Sequence, residues 1–112
     1  MNSSPQEKRQ FKRISLRIPV CYQIRGTNLL RNAVSQNISA GGICFLDNNF
    51  ISAKSILMLE FNILNLVLRP IAQVAWVKFL PHSERKEYGL KFLEIEEKEQ
   101  HFLSEYIKFK ST

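Results

Sequence analysis

The chain has 112 residues, of which 45% are hydrophobic and 23% charged, a composition typical of one globular domain and not of a disordered segment. A formal net charge of +6 favours anionic partners such as phosphates, nucleic acids or acidic protein surfaces. The length excludes a separate catalytic domain, and no apolar run reaches the roughly 20 residues that a membrane-spanning helix needs.

The polar start of the chain predicts its organisation and its compartment. We expect residues 1–8 to be a flexible segment ahead of a single domain over 9–112. The first fifteen residues lack the apolar region of a signal peptide, which indicates a cytoplasmic protein. Cys21 and Cys44 lie in apolar stretches without a close ligand pair, so we expect neither a disulfide framework nor a metal site.

Short alternating segments predict an all-β fold. Apolar and polar residues alternate over 16–24, which indicates a half-buried strand with Pro19 at an edge or a bulge. Turn residues follow at 26–28. The further predicted strands are 30–38, 43–46, 55–63, 66–80 and 88–95. Six strands at this spacing favour an antiparallel β-barrel over about 14–95.

The hydrophobic period changes after the last predicted strand. From Glu96 onward acidic residues come first, apolar residues recur about four apart, and two lysines come last. This order predicts an amphipathic helix over about 96–110, with charges that complement the helix dipole. The phenylalanines that we expect in the core are Phe45, Phe61, Phe79, Phe92 and Phe102.

Two motifs could form a site for a phosphorylated guanine nucleotide. The first, the arginine motif, places Arg9 and Arg13 four residues apart. A guanidinium donates two parallel hydrogen bonds to a phosphate or to the O6 and N7 edge of guanine. A solvated basic tail would give the same spacing by chance, so this motif by itself is weak.

The second motif, the Asn-Ser-Gly turn, comprises residues 37–42. Asn37 and Ser39 can each donate and accept hydrogen bonds, and Gly41 and Gly42 permit a positive φ and a close approach of backbone amides to an anion. The same residue types also form Asx-type or Ser turns for purely local hydrogen bonds. The two interpretations are compatible, because a turn held in this way could still present its amides to a ligand.

The order of these motifs along the chain resembles the PilZ domain, a bacterial receptor for cyclic di-GMP. The arginine motif surrounding Phe11, the strand near Pro19, the Asn-Ser-Gly turn with the strand after it, and the segments 75–77 and 88–92 are similar to the family's pattern over nearly the whole chain. The resemblance implies a six-stranded PilZ-type β-barrel with one C-terminal helix.

The same resemblance implies which residues bind the second messenger. Arg9 and Arg13 would take a guanine and a phosphate, while Asn37, Ser39 and Gly42 would contact the other guanine and its ribose; Asn37 replaces the Asp often found in the family. Gly41 belongs to the same turn. The remaining candidates are Lys8, whose position bears on whether one ligand or an intercalated pair binds, and Trp76, which could stack on a guanine but is favoured as a packed strand residue.

We expect the ligand to order the segment through Arg13 and so to alter an interaction with a protein partner. Two other functions stay open. A PilZ-like adaptor without ligand affinity is the nearer alternative, and a small basic barrel that binds single-stranded RNA is the more distant one. An enzyme is not expected, because the sequence has no nucleophile paired with a base, no metal clip and no phosphate loop.

Overall fold

The computed structural model describes residues 11–111, in which eight β-strands precede one α-helix. The elements are β1 (Ile14–Ser15), β2 (Pro19–Ile24), β3 (Leu30–Ser39), β4 (Gly42–Asp47), β5 (Ile56–Ile63), β6 (Leu66–Leu68), β7 (Ile71–Phe79), β8 (Lys86–Glu94) and α1 (Glu97–Lys110). The segment expected to be flexible, residues 1–8, lies outside the described residues.

Six of these strands form a closed antiparallel barrel. They follow each other in the order β3, β2, β5, β7, β8 and β4, and β4 pairs back with β3 to close the sheet. Strand β1 pairs with the end of β3 beyond β2, and β6 pairs with the end of β5. The predicted six-stranded barrel with one C-terminal helix is therefore confirmed.

The barrel interior is filled by side chains from alternate strand positions. In β5 the apolar side chains of Leu57, Leu59, Phe61 and Ile63 point inward and are at most 4% exposed, as the alternation in the sequence predicts.

An aromatic column crosses this core. The Tyr22 and Phe45 rings stack at a centroid distance of 5.5 Å, and the Phe45 and Tyr88 centroids are 5.9 Å apart. The Tyr22 hydroxyl donates to the Asp47 carboxylate, and burial, together with that carboxylate, raises the pKa of Tyr22 far above its usual value. The Tyr88 hydroxyl donates to the Asn49 carbonyl at 2.9 Å, so both phenols keep hydrogen-bond partners.

Helix α1 packs beside the Asn-Ser-Gly turn. Leu103 and Ile107 are buried against the barrel, and Gln100 Nε2 donates to the Ala40 carbonyl at 3.1 Å. Acidic side chains occupy the first turn of α1 and lysines the last, as predicted from the sequence. No helix within residues 11–111 is long and apolar enough to cross a membrane.

The structure differs from the sequence predictions at three places. The strand predicted over 16–24 starts only at Pro19, which has no backbone N–H and so removes no hydrogen bond from the sheet when it occupies the first position of a strand. The strand predicted over 66–80 is divided at Pro70 into β6 and β7. Phe79, predicted to be in the core, is 63% exposed, because it is the last residue of β7, opposite Lys86.

Candidate ligand-binding site

A direct hydrogen bond joins the two motifs. Arg13 precedes β1, and Asn37 lies in β3, 24 residues further along the chain. Strand β1 pairs with β3 in the register Ser15 to Asn37, which carries Arg13 alongside the asparagine. Arg13 Nη1 donates to Asn37 Oδ1 at 2.7 Å. A guanidinium and an amide are thus placed together on the barrel surface.

Arg9, the first arginine of the motif, and Lys8, which precedes it, lie outside the described residues. The contacts proposed for these two side chains therefore stay predictions.

Ser39 holds the Asn-Ser-Gly turn through its hydroxyl. The Ser39 Oγ accepts hydrogen bonds from the backbone N–H groups of Gly41 and Gly42, each at 3.1 Å, and the side chain is 4% exposed. Neither glycine has a positive φ. The two amides that could approach an anion are therefore engaged within the turn, which is the local arrangement that the sequence left open.

Each glycine of the turn leaves room for a neighbouring group. A Cβ on Gly41 would lie 2.4 Å from Cδ2 of the Phe11 ring, and a Cβ on Gly42 would lie 2.3 Å from the Leu90 carbonyl oxygen of β8. The pocket beside Phe11 is also lined by Ala40, Ser104 and Ile107. Phe11, which lies midway between the two arginines in the sequence, therefore packs between the turn and α1.

Two β-bulges turn site residues to the outer face of the barrel. The register of β3 against β4 shifts between Ser35 and Asn37, and that of β7 against β8 shifts between Val74 and Trp76. In each strand the residue before the shift points into the core, so an unbroken alternation would also point Asn37 and Trp76 inward. The extra residue instead presents both side chains on the outside.

The bulges assemble an outer row of cross-strand neighbours. Asn37 is opposite Cys44, Cys44 is opposite Gly89, and Gly89 is opposite Trp76. A Cβ on Gly89 would lie 2.2 Å from Cε2 of Trp76, so the indole rests on the Gly89 backbone. Trp76 is 43% exposed. The prediction that it packs inside the barrel or under the helix is therefore wrong. The outer row ends in an aromatic surface that a flat ligand can reach.

The thiol in the middle of the outer row is neutral. Cys44 is 2% exposed, and its Sγ donates to Glu87 Oε2 at 3.2 Å. Burial first, and then the Glu87 carboxylate, raise the pKa of Cys44 to about 12, while the Arg13 guanidinium acts in the opposite direction. No group of His, Cys, Asp or Glu side chains in the described part of the chain is arranged to hold a metal ion.

Three residues of this face were missed by the sequence predictions of the site. Phe11, Gly89 and Glu87 contact Gly41, Trp76 and Cys44 respectively. The position of Phe11 between the two arginines is a usable signal in retrospect. Gly89 and Glu87 carry no such signal, because their roles depend on cross-strand register.

Comparisons with known proteins place this chain in a family. The family model described as PilZ domain matches residues 7–109. No curated protein sequence matches the chain.

Solved structures with the same fold include the Bacillus subtilis inhibitor of motility MotI/DgrA, with a TM-score of 0.82 at 24% identity over 93% of this chain and 51% of that one. They also include Escherichia coli YcgR in complex with c-di-GMP, with a TM-score of 0.77 at 18% identity over 93% of this chain and 46% of that one. The PilZ domain of YcgR with c-di-GMP has a TM-score of 0.70 at 15% identity over 93% of this chain and 94% of that one. The chain thus spans about half the length of the first two proteins. With a family match over most of its length, the chain belongs to the PilZ domain family.

Proposed function

We propose that this chain is a receptor for cyclic di-GMP that acts as an adaptor and not as an enzyme. The observation that carries the proposal is the 2.7 Å hydrogen bond from Arg13 to Asn37, because it unites the arginine motif and the Asn-Ser-Gly turn on one exposed face. Membership of a ligand-binding family and similarity in fold to two structures that contain c-di-GMP support it. The compartment that we propose is the cytoplasm, as expected for the receptor of an intracellular messenger.

Each part of the face has a proposed role in holding the ligand. Arg13, with Arg9 and Lys8 before it, supplies guanidinium forks and positive charge for the two phosphates and for the O6 and N7 edge of a guanine. Asn37 offers an amide to the other guanine. Trp76 offers an exposed ring on which a base can stack.

Ser39, Gly41 and Gly42 act mainly by shaping the turn that carries Asn37. The Ser39 hydroxyl accepts from both glycine amides, which fixes the path of the backbone beside the ligand face. In this proposal the turn contacts the ligand through the outer surface of its backbone and not through free amides.

The signal passes through the segment that precedes β1. Phe11 already links this segment to Gly41 and to the pocket beside α1, so a ligand that bridges the arginines and Asn37 would hold it more firmly. A ligand shifts a conformational population only through differential contacts, and the bridged segment supplies them. The changed surface around the segment and α1 is where we propose that a protein partner binds.

Isothermal titration calorimetry tests the proposal. The purified chain is titrated with cyclic di-GMP, GTP and a short single-stranded RNA, and the cyclic di-GMP titration is repeated with Arg9→Ala, Arg13→Ala and Arg25→Ala. Arg25 follows β2 at the opposite end of β3 from Asn37, so its variant matches the loss of charge without touching the site.

We expect saturable binding of cyclic di-GMP alone, weakened roughly tenfold to a hundredfold by Arg13→Ala and unchanged by Arg25→Ala. If cyclic di-GMP gives no binding heat with a folded protein, the receptor function is refuted, and the alternative function, an adaptor that binds no ligand, is favoured. Binding of RNA with a steep salt dependence would instead identify the basic RNA-binding barrel.

A further inference from the structure

Glu87 places a carboxylate beside the outer row. It precedes the core residue Tyr88 in β8 and so points outward, opposite Leu46 of β4 and Lys78 of β7. Its Oε2 accepts the Cys44 thiol at 3.2 Å, and the side chain is only partly buried. The hydrogen bond from the Cys44 thiol therefore holds the Glu87 carboxylate toward the centre of the outer row.

The position of this acid is unusual for a surface that attracts anions. The chain has a net charge of +6, yet within residues 11–111 Glu87 has no ion pair, although Lys78 is its direct cross-strand neighbour. A carboxylate has about four acceptor positions, and the thiol uses one of them. Among the described residues, the other acceptor positions of Glu87 have no ion-pair partner, and they lie next to a site proposed to bind a polyanion.

A base stacked beside Trp76 would lie between opposite types of hydrogen-bonding group. Gly89 carries the indole, and Cys44 forms the adjacent part of the row. Arg13 lies on the other side of Cys44, because it donates to Asn37, the neighbour of Cys44 in β3. A ligand edge rich in acceptors would meet Arg13, and an edge rich in donors would meet Glu87.

Guanine is the base that has both edges. Its N7 and O6 atoms accept hydrogen bonds, while N1–H and the 2-amino group are neighbouring donors that a carboxylate can accept together. Adenine lacks the two adjacent donors. We propose, on the basis of the receptor function above, that Glu87 is a specificity residue that selects guanine by accepting from its N1–H and 2-amino groups.

Cyclic di-IMP provides a selective probe, because hypoxanthine keeps N1–H, O6 and N7 but lacks the 2-amino group. The affinities of the whole chain for cyclic di-GMP, cyclic di-IMP and cyclic di-AMP are measured for the wild type, Glu87→Ala and Glu94→Ala. Glu94 is a matched control at the far end of β8, opposite Ile71. The readout is the ratio of affinities, since removal of a negative charge would strengthen binding of all three anions alike.

We expect the wild type and Glu94→Ala to prefer cyclic di-GMP over cyclic di-IMP about tenfold, and Glu87→Ala to bind the two within about twofold of each other. An unchanged ratio in Glu87→Ala, or a wild type that does not distinguish the two, would overturn the role of Glu87 while leaving the receptor intact. No binding of any cyclic dinucleotide by the folded wild type would refute the receptor itself. Thermal unfolding of each variant shows that the comparison is made on folded protein.

Discussion

The contact between Gly41 and Phe11 predicts that Gly41→Ala lowers the stability of the protein when the Phe11 ring is present and raises it when the ring has been removed. A Cβ at Gly41 would lie 2.4 Å from the Phe11 ring, so Gly41→Ala must displace that ring. Gly41 has no positive φ, and alanine is therefore compatible with its backbone.

The magnitude follows from the burial of Phe11. Phe11 is 38% exposed, so about three fifths of the roughly 1.5–3 kcal/mol for burying a phenylalanine, about 1–2 kcal/mol, depends on this packing. Replacing glycine with alanine at a compatible site stabilises by about 0.4–1 kcal/mol through the unfolded state. We expect Gly41→Ala to destabilise the wild type by about 1 kcal/mol but to stabilise a Phe11→Ala protein by about 0.5 kcal/mol.

A double-mutant cycle measures this difference. Urea unfolding of the four proteins can be followed by the fluorescence of Trp76, the one tryptophan in the sequence. The same loss of stability on Gly41→Ala with and without the Phe11 ring would show that the clash lies elsewhere and refute the packing argument. Cyclic di-GMP titration of the same proteins then tests whether the Phe11 contact positions the arginine motif.

Three further predictions concern the barrel wall. Gly89→Ala should expel the indole of Trp76, since the new Cβ would lie 2.2 Å from it, and both a changed fluorescence spectrum and weaker cyclic di-GMP binding check this. Gly42→Ala should cost about 2 kcal/mol or more in urea unfolding, because the 2.3 Å contact is with the backbone carbonyl of Leu90, which cannot rotate away. Cys44 has a pKa of about 12 in the folded protein against 9.0 for an unperturbed thiol, so its contribution to stability is complete below pH 9 and is lost as the pH rises toward 12. Cys44→Ala should therefore lose less stability than the wild type between about pH 8 and about pH 10.5, and equal losses would contradict this assignment.

The sequence was sufficient to predict the strands and the helix in which the pattern of apolar and polar residues is not interrupted. The alternation of β5 and the charge order of α1 are local properties, and both predicted their elements. Trp76 was misplaced because the sequence does not mark the bulge before it, and parity counted from Val74 points the indole into the core. Phe79 was misplaced because the end of a strand does not bury a side chain merely by being apolar.

The candidate site was predictable only as far as its motifs are contiguous in the chain. Asn37 and Arg13 were identified from their residue types, but their hydrogen bond depends on the pairing of β1 with β3. Gly89 and Glu87 became visible only when β8 was aligned with β4 and β7, since cross-strand neighbours are separated by many residues in the sequence.

The two bulges mark places where the length of the chain can change without turning the ligand face. Loss of a single codon at Gln36 or at Ala75 would remove the extra residue of a bulge and restore simple alternation, in which Asn37 or Trp76 follows an inward-pointing residue directly and still points outward. A gene related to this one could therefore lack either residue and still encode the same outer row. A one-residue gap at either of these two points is not a reason to discount a relative as a receptor.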